Sequence, residues 1–257
     1  MTVFIAMIRA RRRHPARTVF KTGAACCAAL VVAYLCMLLW PQPFFAHRTV
    51  YGIYHVWSDE PIPPQIRPVL DDVTRRLRTS PLHDPKQPVE IYICNAPWRM
   101  WVYGMKFRTR YGGIADVWMT RHVIIRASEI AANRIVPPGP GPIPDAGHRP
   151  LSYFIAHEIT HVDVSRRYGR AMVVQYPKWL MEGYPDYVGK AGDFDFDANR
   201  ARFLAGDAAL DPARSTLYLG YHLRVAYLLD RRHWTLNELF AHPPADADLD
   251  GWLRAVR

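Results

Sequence analysis

The stretch FIAHEITHVD, residues 154–163, carries two histidines and a glutamate inside an apolar run. His157 and His161 are four positions apart, so on a helix their side chains share one face. Two imidazoles at this spacing can ligate zinc, and Glu158 beside them can reach a water molecule near the metal. An amphipathic helix with two histidines in its core would show the same pattern.

A catalytic zinc needs a third protein ligand and an open position. The downstream segment WLMEGYPDYVG, residues 179–189, offers Glu182. Its position, 21 residues beyond His161, leaves enough chain for a helix end, a loop and a return. The sequence therefore predicts that this glutamate completes a His-His-Glu ligand set.

HEITH followed by WLMEGYPDYV resembles the gluzincin branch of zinc metallopeptidases, the thermolysin-like or peptidase MA superfamily. The resemblance covers roughly residues 120–235. It implies that His157, His161 and Glu182 are the Zn²⁺ ligands and that Glu158 is the catalytic general base.

Asp186 and Pro185, which both follow Glu182, bear on that site. In the family, an acid at the position of Asp186 orients the first ligand histidine by accepting its other N–H; the alternative is a solvent-facing helix charge. Pro185 stands where the family usually has alanine, and inside a helix it loses the bond to the Met181 carbonyl. Either the helix is kinked or a new one starts near Tyr184, with Asp186 as the fallback third ligand.

Catalysis also needs a donor for the oxyanion that develops during attack on a carbonyl. Gluzincins commonly supply it from a tyrosine or histidine beyond the third ligand. Tyr218, Tyr221 and His222 are the candidates here. The two tyrosines fit equally well as packing residues of a helix, so the pattern does not choose among the three.

The order of the elements predicts an α+β fold, because short strands come first and helices follow. The resemblance implies a zincin-like domain with a small mixed sheet, an HExxH helix and a mainly helical C-terminal part, in which strand 122–127 is the edge that lines the cleft. Periodicity and turn residues predict the following elements: a helix within 64–80, strands at 89–95 and 122–127, a surface loop at 136–150, helices starting near Pro150 and Pro177, a helix at 215–233, and a short helix in WTLNELFAH.

The N-terminal segment predicts membrane anchoring. Residues 22–40 contain no charged side chain and follow a tail with six Arg or Lys and no acid. Nineteen helical residues cover about 28 Å, close to the hydrocarbon thickness. We expect an uncleaved signal anchor rather than a cleaved signal peptide, with the N-terminus cytoplasmic and the catalytic domain periplasmic or extracellular. The expected organisation is a basic tail at 1–21, the anchor at 22–40, a juxtamembrane linker at 41–63 and the catalytic domain at 64–257.

The composition narrows the partners. The net charge is +10, but the tail holds 6 of the 33 Lys and Arg, which leaves 27 against 23 acidic residues. A remainder of +4 does not favour nucleic-acid binding. The expected partners are a protein or peptide substrate and, through residues 22–40, the lipid bilayer. Only Cys94 lies beyond the anchor, so that part has no intrachain disulfide.

The leading interpretation is a membrane-anchored zinc metallopeptidase. One alternative keeps the zincin-like fold as a catalytically inactive scaffold or binding domain at the membrane. Another is a receptor-like domain whose histidines only satisfy hydrogen bonds in the core. The aromatic cluster Trp98–Trp101 with Tyr103 lines a substrate cleft in one interpretation and packs in the core in the other, which is favoured.

Overall fold

The computed structural model describes residues 15–104, 111–137, 149–211, 214–215 and 217–255, with side chains from residue 19 onward. The chain divides into two compact units, Met1–Pro41 and Gln42–Arg257. In the first unit, helix α1 runs from Pro15 to Leu39. Its 21-residue stretch Val19–Leu39 has the length and composition of a membrane span or a signal sequence. Most of the expected basic tail, residues 1–14, lies outside the described part.

The strands of the second unit build one main sheet and a two-stranded ribbon. In the described residues they are β1 (His47–Tyr51), β2 (Tyr54–Ser58), β3 (Val89–Cys94), β4 (Gly113–Ala115), β5 (Val123–Arg126), β6 (Ser128–Glu129) and β7 (Arg134–Ile135). The main sheet has the order β1-β2-β3-β5-β4, and β6 pairs with β7.

The main sheet is mixed. β1 and β2 form an antiparallel hairpin, and β2, β3 and β5 run parallel to one another. β4 pairs antiparallel with β5 and is the edge of the sheet. The expectation that strand 122–127 is the edge is therefore corrected: β5 is buried along its whole length, and the three residues of β4 lie outside it.

Helices make up most of the remaining structure, and together with the sheet they give an α+β fold. After α1 the described helices are α2 (Ile66–Leu77), α3 (Pro97–Tyr103), α4 (Leu151–Tyr168), α5 (Met172–Gln175), α6 (Lys178–Lys190), α7 (Phe196–Leu204), α8 (Leu219–Ala226), α9 (Leu236–Ala241) and α10 (Asp246–Ala255). A wider helical turn, Tyr227–Arg231, continues α8.

Helix α4 lies at the centre of the domain. It packs against β4 and β5 on one side and against α2 and α6 on others, and α6 in turn packs against α8. Its start is fixed by Asp72 of α2, whose carboxylate accepts hydrogen bonds from Ser152 Oγ at 2.5 Å and from Arg76 Nε at 2.8 Å. These contacts set the position of the residues that follow Ser152 on α4.

Several expectations are confirmed. The helix within 64–80 is α2, and the strands at 89–95 and 122–127 are β3 and β5. The helices expected near Pro150, near Pro177 and in WTLNELFAH are α4, α6 and α9. Of the predicted loop at 136–150, residues 138–148 lie outside the described part.

Two expectations about boundaries are corrected. Residues 41–63 are not simply a linker, because they contain β1 and β2, and the second unit begins at Gln42. The hairpin extends the sheet by parallel pairing of β2 with β3. The helix predicted at 215–233 begins only at Leu219, because Tyr218 adopts a left-handed backbone conformation with φ of 57°.

Candidate metal centre

Helix α4 holds both motif histidines on the face that looks towards α6. The two rings have centroids 5.0 Å apart. His157 is buried, and in the part of the chain that the structure describes its Nδ1 atom has no hydrogen-bond partner. The apolar side chains of the helix are also buried: Leu151, Phe154, Ile155, Ile159 and Val162. The spacing that the sequence offered therefore places both imidazoles side by side.

Helix α6 brings the third side chain to the histidine pair. Glu182 Oε2 lies 3.5 Å from His157 Nε2 and 3.7 Å from His161 Nε2. One ligand atom from each of the three residues lies within 4.8 Å of the others, the arrangement a metal site requires. Burial alone would raise the pKa of Glu182, but the two imidazoles outweigh it and hold that pKa well below its usual range.

Two glycines let α6 approach its neighbours. A Cβ on Gly189 would lie 3.0 Å from the Tyr153 ring of α4, and a Cβ on Gly183 would lie 2.6 Å from the Tyr221 carbonyl oxygen of α8. Any larger side chain at Gly183 would push α8 away from α6. Gly183, which directly follows Glu182, thus sets how closely α8 approaches the three converging side chains.

Pro185 does not end the helix. α6 continues from Lys178 to Lys190 with this proline inside it, which excludes a new helix starting near Tyr184. Proline has no N–H, so the Met181 carbonyl lacks its usual helical partner. Glu182 nevertheless faces the histidine pair, so the departure from alanine at this position leaves the carboxylate in place.

Asp186 does not serve the first histidine as the family pattern suggests. Its carboxylate accepts hydrogen bonds from Tyr153 Oη at 2.5 Å and His222 Nδ1 at 2.9 Å, and it pairs with Lys190. The expectations that it orients His157 or replaces Glu182 as ligand are both corrected. Tyr153 lies one helical turn before His157, and its hydroxyl donates to the Asp186 carboxylate in the place expected for the imidazole. Burial would raise the pKa of Asp186, but Lys190 and His222 keep it below its usual range.

Glu158 lies against the edge strand. A Cβ on Gly113 of β4 would meet Glu158 Cγ at 2.6 Å and Oε1 at 3.0 Å, so only glycine leaves this carboxylate its present position. The side chain is largely buried. The motif glutamate therefore borders β4.

Of the three residues considered as oxyanion donors, Tyr218 lies at the histidine pair. Its ring stacks on His157 with centroids 5.8 Å apart and an interplanar angle of 11°. Burial, followed by the charges of Glu182 and Glu158, raises its pKa far above the usual value. Tyr221 stacks behind it at 6.1 Å, and His222 is buried against Asp186.

Sequence reasoning missed three residues around this centre. Tyr153 and Lys190 hold Asp186, and Gly113 makes room for Glu158. The i−4 position of Tyr153 relative to His157 was a usable signal, because such residues share a helix face. A Gly-Gly pair is typical of a turn, but Gly113 is the first residue of strand β4.

The described side chains of this centre lie on α4 and α6, at Tyr218 directly before α8, and against β4. No protein-family model, curated protein or solved structure matches the chain. The likeness of HEITH and WLMEGYPDYV to the gluzincins therefore rests on those residues alone. A functional inference must be drawn from the side chains of the centre and their geometry.

Proposed function

We propose that this protein is a zinc-dependent metallopeptidase of gluzincin type, held at a membrane by α1. The observation that carries the proposal is the convergence of His157, His161 and Glu182, whose ligand atoms lie within 4.8 Å of one another. These are the residue types and the ligand number of a catalytic zinc centre. The motif glutamate, Glu158, directly follows His157 in the sequence.

The distances fit a zinc ion. Two donors on a tetrahedral zinc with bonds of 2.0–2.2 Å lie roughly 3.3–3.6 Å apart. Glu182 Oε2 is 3.5 and 3.7 Å from the two Nε2 atoms. Among the described residues, the buried Nδ1 of His157 has no hydrogen-bond partner, whereas its Nε2 faces the Glu182 carboxylate. The donor set thus suits a borderline-soft divalent cation.

The bound metal would supply Lewis acidity, which acidifies water and polarises a peptide carbonyl. Glu158 is the general base: its carboxylate takes a proton from the attacking water and passes it to the departing amine, so that one amide and one water give a carboxylate and an amine. The Tyr218 hydroxyl, kept protonated by its neighbours, donates a hydrogen bond to the developing oxyanion.

Membrane attachment is part of the proposal. The stretch Val19–Leu39 is long and apolar enough to cross a bilayer. The five arginines before it, together with Lys21 near its start, favour a cytoplasmic N-terminus, which would leave residues 42–257 in the periplasm or outside the cell. The substrate is then a protein or peptide at that side of the membrane.

The test uses the full chain in detergent micelles. Zinc is measured by elemental analysis, and hydrolysis is measured on a broad peptide library by mass spectrometry. Glu158→Gln should keep the metal and lower the hydrolysis rate by a factor of about 10²–10⁴. Glu129→Gln is the matched control, because Glu129 is exposed and paired with Arg134. A chain without zinc, or an unchanged rate in Glu158→Gln, contradicts the proposal.

A second candidate function is a metal-binding scaffold without hydrolytic activity. Its support is the engagement of Asp186 by Tyr153, His222 and Lys190, which leaves His157 Nδ1 without a carboxylate. A ligand imidazole without that partner is a weaker base. Full zinc occupancy with no cleavage of any library peptide would favour this function. If chelation leaves the thermal stability unchanged, the receptor-like domain is favoured, in which the histidines only satisfy hydrogen bonds in the core.

A further inference from the structure

The second unit exposes three large aromatic side chains close together. Phe44, Trp98 and Trp101 have 47%, 52% and 46% of their surface exposed. Trp98 and Trp101 are three positions apart on α3 and so share a helix face. Arg99 joins the group: its Nη1 donates to the Phe44 carbonyl at 2.6 Å, and its guanidinium lies 4.7 Å above the Trp98 ring. We call Phe44, Trp98 and Trp101 the aromatic surface.

Exposure of these side chains is unusual for a domain with this core. The fold buries Trp179, Tyr92 and Tyr184 almost completely. A buried aromatic side chain removes about 150–250 Å² from water, so leaving two indoles half in solvent forgoes a large stabilisation. The prediction that Trp98 and Trp101 pack in the core is therefore wrong: about half of each side chain faces solvent.

The composition of this surface is that of a membrane interface. Tryptophan is enriched at the boundary between headgroups and acyl chains, where its ring is apolar and its N–H stays hydrated. The charge of Arg99 is compensated by Asp59, with Nε 3.0 Å from the carboxylate. Within the described residues, the aromatic surface thus offers apolar area and a compensated charge, which suits a zwitterionic lipid surface.

Chain length keeps the aromatic surface near the point where α1 ends. Leu39 is the last residue of α1, and Phe44 follows five residues later. Five residues span at most about 18 Å, whatever the angle between the two units. Phe45, next in the chain, packs its ring 5.2 Å from Tyr103 of α3. If α1 crosses a bilayer, Phe44 lies within about 18 Å of the residue at which α1 ends.

We propose that the aromatic surface inserts into the headgroup region of the bilayer that α1 crosses. The domain is then docked on the membrane and does not swing freely on its tether. Docking would fix the distance of the His-His-Glu centre from the lipid and limit substrates to chain segments at that height. The inference rests on the membrane attachment in the proposed function and is independent of hydrolysis.

The test is quenching of tryptophan emission by brominated phosphatidylcholine, with the full chain in zwitterionic vesicles. Trp40, Trp98 and Trp101 should be quenched, so Trp98→Phe with Trp101→Phe should remove about two thirds of the quenchable emission. Phenylalanine keeps most of the apolar volume, so the fold is preserved, and circular dichroism checks this. Trp118→Phe is the matched control, because Trp118 is 48% exposed and not part of the aromatic surface.

The outcomes distinguish insertion of the anchor from docking of the domain on the membrane. Quenchable emission that survives in the double variant but falls in Trp40→Phe shows an inserted anchor without a docked domain, and it overturns the inference. If no tryptophan is quenched, the membrane attachment itself fails and the inference fails with it. An equal loss in Trp118→Phe also overturns the inference, because the contact would then not be specific to the aromatic surface.

Discussion

Gly113→Ala tests the position of the proposed general base without removing any reacting group. The new Cβ would lie 2.6 Å from Glu158 Cγ and 3.0 Å from Ile125 Cδ1. Carbon atoms in contact are ordinarily about 3.5–4.0 Å apart, so the glutamate must move by about 1 Å. A displacement of that size at a reacting group costs about 10²-fold in rate. We expect the variant to bind zinc normally and to lose about 99% of its peptide hydrolysis.

The cost in stability should be modest. Overpacking of one methyl group destabilises a core by about 1–3 kcal/mol, and Gly113 has no positive φ that alanine would strain. Gly112→Ala is the matched control, because its Cβ would meet the Phe154 ring at 2.3 Å and leave Glu158 untouched. Both variants should lower the melting temperature to a similar extent.

The assay compares initial rates on a peptide library, normalised to bound zinc, with melting temperatures by differential scanning calorimetry. Gly112→Ala should lose stability and keep most of its rate. Gly113→Ala should lose both. Full activity in Gly113→Ala, or an equal loss of activity in Gly112→Ala, would refute the assignment of Glu158 as the base placed by β4.

Two further predictions concern Tyr218 and the turn after β4. Tyr218→Phe should keep zinc and lower the hydrolysis rate by about 10²–10³, measured at saturating peptide, because the oxyanion loses its donor. Burial would raise the pKa of Asp116, but hydrogen bonds from the Thr120 hydroxyl and from backbone amides lower it. Its stabilising effect is thus present at neutral pH and lost as the pH falls below about 3.9 and through the lower folded pKa. In urea unfolding, Asp116→Ala should cost about 0.5–2 kcal/mol at pH 7 and less at pH 3; an equal cost at both pH values would contradict this.

The helices of the centre could be predicted because their signals are local. The period of apolar residues around His157 and the proline before Leu151 define α4 without any other part of the chain. The 21-residue spacing of Glu182 from His161 likewise needed only a plausible loop. Short strands carry less information: β4 has three residues, and its first residue is the second glycine of a Gly-Gly pair, a pattern typical of a turn.

The hydrogen-bond partners around the centre could not be predicted. Several donors compete for each acceptor, and which of them reaches it depends on the three-dimensional fold. Asp186 has the offset expected of a histidine partner, yet Tyr153 and Lys190 take its oxygens. Tyr218, which stacks on His157, has a positive φ that no sequence pattern signals for a tyrosine. Residues 41–63 were treated as a linker because one short hairpin next to prolines resembles a loop.

The dependence of Tyr218 on α8 has a consequence for biosynthesis. Its carbonyl accepts the His222 amide at 2.8 Å, and His222 in turn binds Asp186, so the tyrosine reaches the centre only when α8 has docked. His161 and Tyr218 are 57 residues apart in the chain, a separation that takes about 3–11 s to synthesise at 5–20 residues per second. During that interval a nascent chain would hold His157 and His161, the proposed metal ligands, without Tyr218, the proposed oxyanion donor.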